Sequence, residues 1–260
     1  MVTEVKEGFV KVEFHNGITT IEFFHPQSNC LPARLLEALA HAIHGAGNDE
    51  HTKLVILRSA GEKVFCAGAS YDELKAIKDK EQGLMFFSGF AHVINAMRTC
   101  PKFIIGRIQG KCVGGGVGLA AAVDYAIALD SVEIKLSELA VGLGPFVVGP
   151  AIERKIGLSG YSQLAIDASG WRNADWARRK GLFAELHPTT EFMDEAIFRL
   201  SEALMHSSPE AMAELKKIFW KGTEHWDKLL IDRAAISGRL VLSEFTKKAI
   251  EKFKIKGIKE

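Results

Sequence analysis

The sequence has few cysteines, no excess of either charge and no long hydrophobic run, and each shortage removes a class of protein. Four cysteines stand among 260 residues (Cys30, Cys66, Cys100, Cys112). They show no CxxC pair and no metal-type spacing, so they read as reduced thiols of a cytoplasmic protein, not as a disulfide framework or a zinc site. Lys and Arg number 33 against 32 Asp and Glu, a formal charge of +1, which gives neither nucleic acid nor a membrane surface a general electrostatic handle. The apolar runs fall far short of the ~20 residues of a spanning helix, and Met1–Glu7 is charged, without a signal-like core. Low-complexity tracts and internal repeats are absent too. What remains, 47% hydrophobic and 25% charged, is an ordinary globular composition, long enough for one sizeable domain or one domain with an appendage.

Local patterns divide the chain near residue 190. Before it, strands and helices alternate. Phe9–Phe14 and Ile18–Phe24 flank His15-Asn16-Gly17 and read as a hairpin. Pro32 opens a helix carrying Leu35, Leu36, Leu39 and Ile43. Lys53–Arg58 and Lys102–Ile108 read as buried strands, Tyr71–Lys78 and Met85–Met97 as helices, and Asp124–Leu129 and Val132–Leu136 as short strands. Helices are expected at Gly149–Ile156, Ser159–Ala168 and Asn173–Lys180, with a strand near Leu182–Leu186. From Thr190 onward the pattern is helical throughout: Glu191–Met205, Pro209–Trp220, His225–Leu242 and Ser243–Phe253. The stripes Phe192, Ile197, Leu200, Leu204 and Leu229, Leu230, Ile236, Leu240 suit either a partner subunit or the chain's own core.

The chain is organised around Gly110-Lys-Cys-Val-Gly-Gly-Gly-Val-Gly118, with five glycines in nine residues between a buried strand and the small apolar run Leu119–Val123. Glycines opening a helix leave N–H groups unpaired and approachable, which makes an anion or oxyanion site; a tight packing turn has the same composition. Gly116-Val-Gly118-Leu-Ala-Ala121 also matches the dinucleotide pattern GxGxxA, with Glu138 downstream. Context argues against that reading, because Gln109–Gly115 separates strand from motif and only about six residues remain for the crossover helix. A second small-residue turn, Phe65-Cys-Ala-Gly-Ala69, ends a loop after a strand. Two such turns aimed at one point would form an oxyanion hole for an enolate or a tetrahedral thioester intermediate. Glu138, set among Leu139, Ala140 and Val141, would be partly desolvated and so raised towards proton-transfer range; as a helix cap or ion-pair partner it would need no such role.

Three stretches taken together resemble the enoyl-CoA hydratase/isomerase (crotonase) family. They are Phe65-Cys-Ala-Gly-Ala-Ser-Tyr-Asp-Glu-Leu74, Gln109–Ala120 with Asp124, and Ser137-Glu138 with Gly142 and Pro145. The resemblance runs from about Phe9 to Leu186, more loosely beyond. It implies an α/β fold, the crotonase-type spiral of ββα units, with residues 1–190 as the core bearing the acyl-CoA site and 191–260 as a C-terminal helical oligomerisation region. An acyl-CoA thioester substrate, a trimer or hexamer, and no cofactor beyond the coenzyme A of the substrate are further implications. The oxyanion donors map onto the N–H groups of Ala69 and Gly115, and the acid/base onto Glu138. Ala67, Gly68, Tyr71, Gly114 and Gly118 in the same motifs become substrate-binding candidates, with Phe146 beside Phe86, Phe87 and Phe90 as an acyl wall or simply core. Lys63, Lys252 and Lys254 become candidates for the CoA phosphates, the latter two from a neighbouring subunit.

Two departures shape the expected chemistry. Where the family's hydratases carry a first glutamate, this chain has Gly118. A lone Glu138 resembles the family's Δ3,Δ2-enoyl-CoA isomerases, which need one base to move a proton between two carbons; hydration with one glutamate and non-catalytic acyl-CoA binding remain the alternatives. Ser70 stands where aspartate is usual, and serine caps a helix as well. Cys66 and Cys112 flank the proposed hole without a nearby histidine and read as small hydrophobes. His41 and His44 lack a carboxylate ligand between them, so no metal is expected.

Overall fold

The computed structural model describes residues 7–257, of which 253–257 contribute helical backbone only; the Met1–Lys6 part of the charged N-terminal stretch lies outside them. The hairpin forms as its turn chemistry demands. β1 (Phe9–His15) and β2 (Ile18–Phe24) pair antiparallel across Asn16 and Gly17, both at positive φ (47° and 83°). α1 (Ala33–Asn48) then buries Leu35, Leu36, Leu39 and Ile43.

The next segments repeat one unit. β3 (Leu54–Ser59) leads to β4 (Val64–Cys66), then α2 (Tyr71–Ala76) and α3 (Lys80–Thr99). β5 (Phe103–Ile108) leads to β6 (Lys111–Val113) and α4 (Gly115–Ala122). β7 (Tyr125–Leu129) leads to β8 (Glu133–Lys135), a 3₁₀ turn at Glu138–Val141 and α5 (Gly149–Ile166). Each unit places one strand in each of two sheets, ordered β1-β2-β3-β5-β7-β10 and β4-β6-β8-β9, with β9 at Arg172–Asn173 and β10 at Glu185–His187. From β2 outward the larger sheet is parallel. That agrees with strands such as Leu54-Val-Ile-Leu57, which are apolar on both faces. This is a spiral of ββα turns.

α6 (Ala174–Arg179), α7 (Thr190–Met205), α8 (Pro209–Phe219), α9 (Trp226–Leu240) and α10 (Glu244–Gly257) complete the chain. α7 lays Met193, Ala196 and Ile197 on Leu54, Ile105 and Ile127 of the larger sheet. Leu230 is fully buried in the main core, whereas Phe192 and Phe198 are exposed. The helical stripes therefore split between the chain's own core and an open face. Asp124, after α4, anchors α8: its carboxylate takes hydrogen bonds from the Ile104 N–H (2.8 Å) and Trp220 Nε1 (3.1 Å) and pairs with Lys216 Nζ at 2.8 Å.

Several boundaries differ from the sequence patterns, for local reasons. The strands β4, β6 and β9 have three residues or fewer and fall in stretches that read as loop or turn, because two or three residues show no periodicity. The strand expected near Leu182–Leu186 pairs at Glu185–His187, and α2 stops at Ala76 rather than Lys78. The two helices expected over 149–168 form one run kinked at Gly157 (φ 72°, ψ 162°), where glycine's freedom at positive φ permits the break. The crossover after the GxGxxA stretch is as short as expected: α4 has eight residues.

Candidate active site

The spiral carries its two glycine turns on neighbouring strands. β4 and β6 are parallel neighbours, so the turns that follow them meet. Gly68, at φ +83°, lies so close to the second turn that an added Cβ would stand 2.9 Å from the Val113 carbonyl and 3.0 Å from the Gly115 nitrogen. Gly114, at φ +54°, precedes the first residue of α4. A helix cannot use its own first N–H groups, so that of Gly115 is left for another acceptor. On the other turn, the bridge between Leu31 and Ala69 engages the Leu31 N–H and the Gly68 carbonyl (2.7 Å), not the N–H of Ala69.

Glu138 faces this pair of turns. A Cβ on Gly114 would lie 2.8 Å from Glu138 Oε1, so a side chain there would push the carboxylate aside. Oε2 is buried and without a hydrogen-bond partner, and desolvation pushes the acid up to about 7. Ala67, Gly68, Ala69, Tyr71, Gly114, Gly115, Glu138 and Phe146 line one cavity of about 70 Å³. Tyr71 stands at its mouth, with its phenol raised first by desolvation and then by the charge of Glu138. A groove of about 400 Å³ continues outward past Ala67, Tyr71 and Ser137 to Lys75 and Lys135.

Other candidates fall elsewhere. Phe87, Phe90 and Phe146 reach the cavity, whereas Phe86 is core only. Gly118 does not line the cavity: it packs under Val148, whose Cγ1 would stand 2.5 Å from an added Cβ, and Val148 takes the place at the cavity wall. Lys63 is exposed and does not line the cavity; its carbonyl accepts from the Lys111 N–H (3.1 Å). Lys252 is exposed on α10, and the side chain of Lys254 lies outside the described residues. Cys66 and Cys112 are fully buried, and desolvation pushes Cys66 up to about 12 and Cys112 well above its ordinary value. Inert packing residues behave this way. Ser70 Oγ accepts from the Glu73 N–H at 3.4 Å, capping α2. Among the described residues no three His, Cys, Asp or Glu side chains are placed to hold a metal ion.

The fold also gives supporting roles to residues that were not site candidates, among them Gln109 at the start of the second motif. Asn29, buried and left-handed (φ 53°), donates from Nδ2 to the carbonyls of Ala60 (2.8 Å) and Val64 (2.9 Å). Gln109 Nε2 reaches Ser59 Oγ at 2.8 Å and the Gly61 carbonyl at 3.0 Å. Together the two amides hold the loop that feeds β4 and the first turn. Ser237, from α9, lines the cavity across 99 residues of chain from Glu138. An asparagine inside a Ser-Asn-Cys turn was a legible turn signal; a serine on a distant helix carried none.

Two glycine turns and one carboxylate with a buried Oε2 thus share a small cavity. Comparisons with known proteins identify the family. The sequence profile of the enoyl-CoA hydratase/isomerase family matches residues 13–259. Carnitinyl-CoA dehydratase of Escherichia coli is 25% identical over 260 residues, covering 88% of this chain and 93% of its own. Short-chain-enoyl-CoA hydratase of Clostridium acetobutylicum is 28% identical over 257 residues, covering 96% and 97%. The crystal structure of an enoyl-CoA hydratase from Bacillus halodurans superposes with a TM-score of 0.86 at 23% identity, over 94% of this chain and 99% of that one. The chain belongs to the enoyl-CoA hydratase/isomerase family, and its spiral is the crotonase fold.

Proposed function

We propose that this family member moves a carbon–carbon double bond in an acyl-CoA thioester through an enolate, as a Δ3,Δ2-enoyl-CoA isomerase does. The thioester oxygen would accept hydrogen bonds from the N–H groups of Ala69 and Gly115, which lowers the cost of removing a proton from C2. Glu138 would take that proton and return one at C4, and for the reverse reaction the order inverts. The coenzyme A arm would run along the groove past Lys75 and Lys135. The observation that carries the reading is the single carboxylate: Glu138 is raised to about 7, and the place of a second one at Gly118 is occupied by Val148. An acid poised near the working pH both accepts and donates a proton readily. The exposed Phe192 and Phe198 support self-association into a trimer or hexamer, which sedimentation velocity tests.

The names of the two curated relatives, a dehydratase and a hydratase, favour a second reading in which Glu138 alone serves addition and removal of water. The deciding experiment follows purified protein on trans-3-enoyl-CoA and trans-2-enoyl-CoA beside a Glu138→Gln variant. Conversion of the 3-enoyl ester, lost in the variant, supports isomerisation. Hydration of the 2-enoyl ester, lost in the variant, replaces it with the one-glutamate hydratase. Tight binding without turnover of either leaves an acyl-CoA binder.

A further inference from the structure

One wall of the cavity comes from a helix outside the spiral. α3 and α9 make the most extensive helix contact in the fold, and they meet glycine to glycine. A Cβ on Gly83 would stand 2.7 Å from Gly238 Cα, and one on Gly238 would stand 2.6 Å from the Leu84 nitrogen. No other residue type allows that approach. It carries Ser237, itself 2% exposed, to the cavity wall. Phe87 and Phe90 close the α3 side, at 9% and 4% exposed, and Val148 presses down over Gly118 from α5's N-terminal end. What is left beside Glu138 is about 70 Å³, roughly half the ~150 Å³ of an apolar cavity that holds one benzene molecule.

From this packing we infer that the enzyme selects short acyl groups of about four carbons, and that Phe87 and Ser237 set the limit. The inference rests on the reading of the cavity as the thioester's acyl site. Protein interiors are close-packed, so a longer chain would have to displace Phe87 or separate α3 from α9. The rest of the substrate lies in the wider groove and is common to all chain lengths, so it does not discriminate between them.

The test is a series of enoyl-CoA esters of four, six, eight and ten carbons, taken as kcat/KM, together with inhibition constants of the matching saturated acyl-CoA esters. One methylene in a tight apolar pocket is worth about 10–200-fold. The expected result is a fall of tenfold or more between four and eight carbons in both quantities, and a shift of the optimum to longer esters in Phe87→Ala. Phe87→Leu, which keeps α3 apolar there, gives the same comparison if the alanine variant does not fold. Values that are flat or rise with length in the unmodified enzyme overturn the inference while leaving the thioester reading intact. Failure of every ester to bind removes that reading, and this inference with it.

Discussion

Glu138 shows how one residue's surroundings assign its chemistry. Nothing about a glutamate after a strand distinguishes an acid/base from a cap. The neighbours decide: Gly114 admits it, and Oε2 finds no partner. Since the base must be ionised to take a proton, kcat/KM should rise with pH through about 7 and level off above it. Glu138→Gln should lower it by at least a hundredfold on that plateau and remove the pH dependence. The same shift has a stability consequence of opposite sense. Its folded pKa lies above the unfolded value, so the stability it contributes is fully present below about 4.5 and is lost as pH rises through about 7. Relative to wild type, the variant should therefore gain stability across that window, by up to about 3 kcal/mol, read as denaturant midpoints at pH 4.5 and 8. At Gly118 the argument is steric. An added methyl would stand 2.5 Å from Val148 Cγ1, and Gly118→Ala should cost about 1–3 kcal/mol of stability through overpacking. A double variant, Gly118→Ala with Val148→Ala, should recover much of that in chemical denaturation.

Among the elements, the pair of turns after β4 and β6 is where sequence and structure agree on substance and differ in means. The motifs Phe65–Ala69 and Gly114–Gly116 were legible because glycine runs have few uses beside sharp turns and close approach. Glu138 and Asp124 were legible with them. The strands that bring the turns together were not, since β4 and β6 have three residues each and exist through pairing rather than pattern. Asn29 and Gln109 act at a distance of tens of residues, which no local window contains. Long elements such as α1, α3 and β3 were recognisable because amphipathic or all-apolar runs repeat often enough to reveal a period, although α3 extends beyond the expected Met85–Met97 to Lys80–Thr99. The turn's geometry can be tested by Gly68→Ala. At φ +83°, with the Val113 carbonyl 2.9 Å and the Gly115 nitrogen 3.0 Å from the new methyl, alanine should displace the turns that carry the two proposed donors, Ala69 and Gly115. Losing one oxyanion donor costs about 10²–10³ in kcat. The expected outcome is a drop of that order in kcat. Thermal unfolding should fall by only several degrees, for a strain of about 1–3 kcal/mol.

For the molecule as a whole, the question is why the spiral and the C-terminal helices behave as one unit when composition divides them near residue 190. The larger sheet has its Leu54–Ile105–Ile127 surface covered by α7, and α9 packs against α3 at the cavity wall. Neither half can bury its apolar surface alone. A buried polar link between them is Asp124, held on one side by the Ile104 N–H at the start of β5 and on the other by Trp220 Nε1 and Lys216 Nζ. Lys216 also donates to the Lys102 carbonyl at 2.7 Å, and its side chain is 2% exposed. Two buried charges so placed compensate each other, with Arg154 and Lys155 also acting on Asp124, and removing one leaves the other poorly paired in an apolar interior, at about 3–5 kcal/mol. Asp124→Ala and Lys216→Met should each destabilise by that amount in urea or thermal unfolding. Combining Lys216→Met with Asp124→Leu, an apolar replacement of both partners, should cost clearly less than the two single effects together. If the singles are small or strictly additive, the pair is not what joins the helices to the spiral. A coupling of 1 kcal/mol or more, with both unfolding transitions remaining single and cooperative, marks Asp124 as the point where the two parts of the chain become one folding unit.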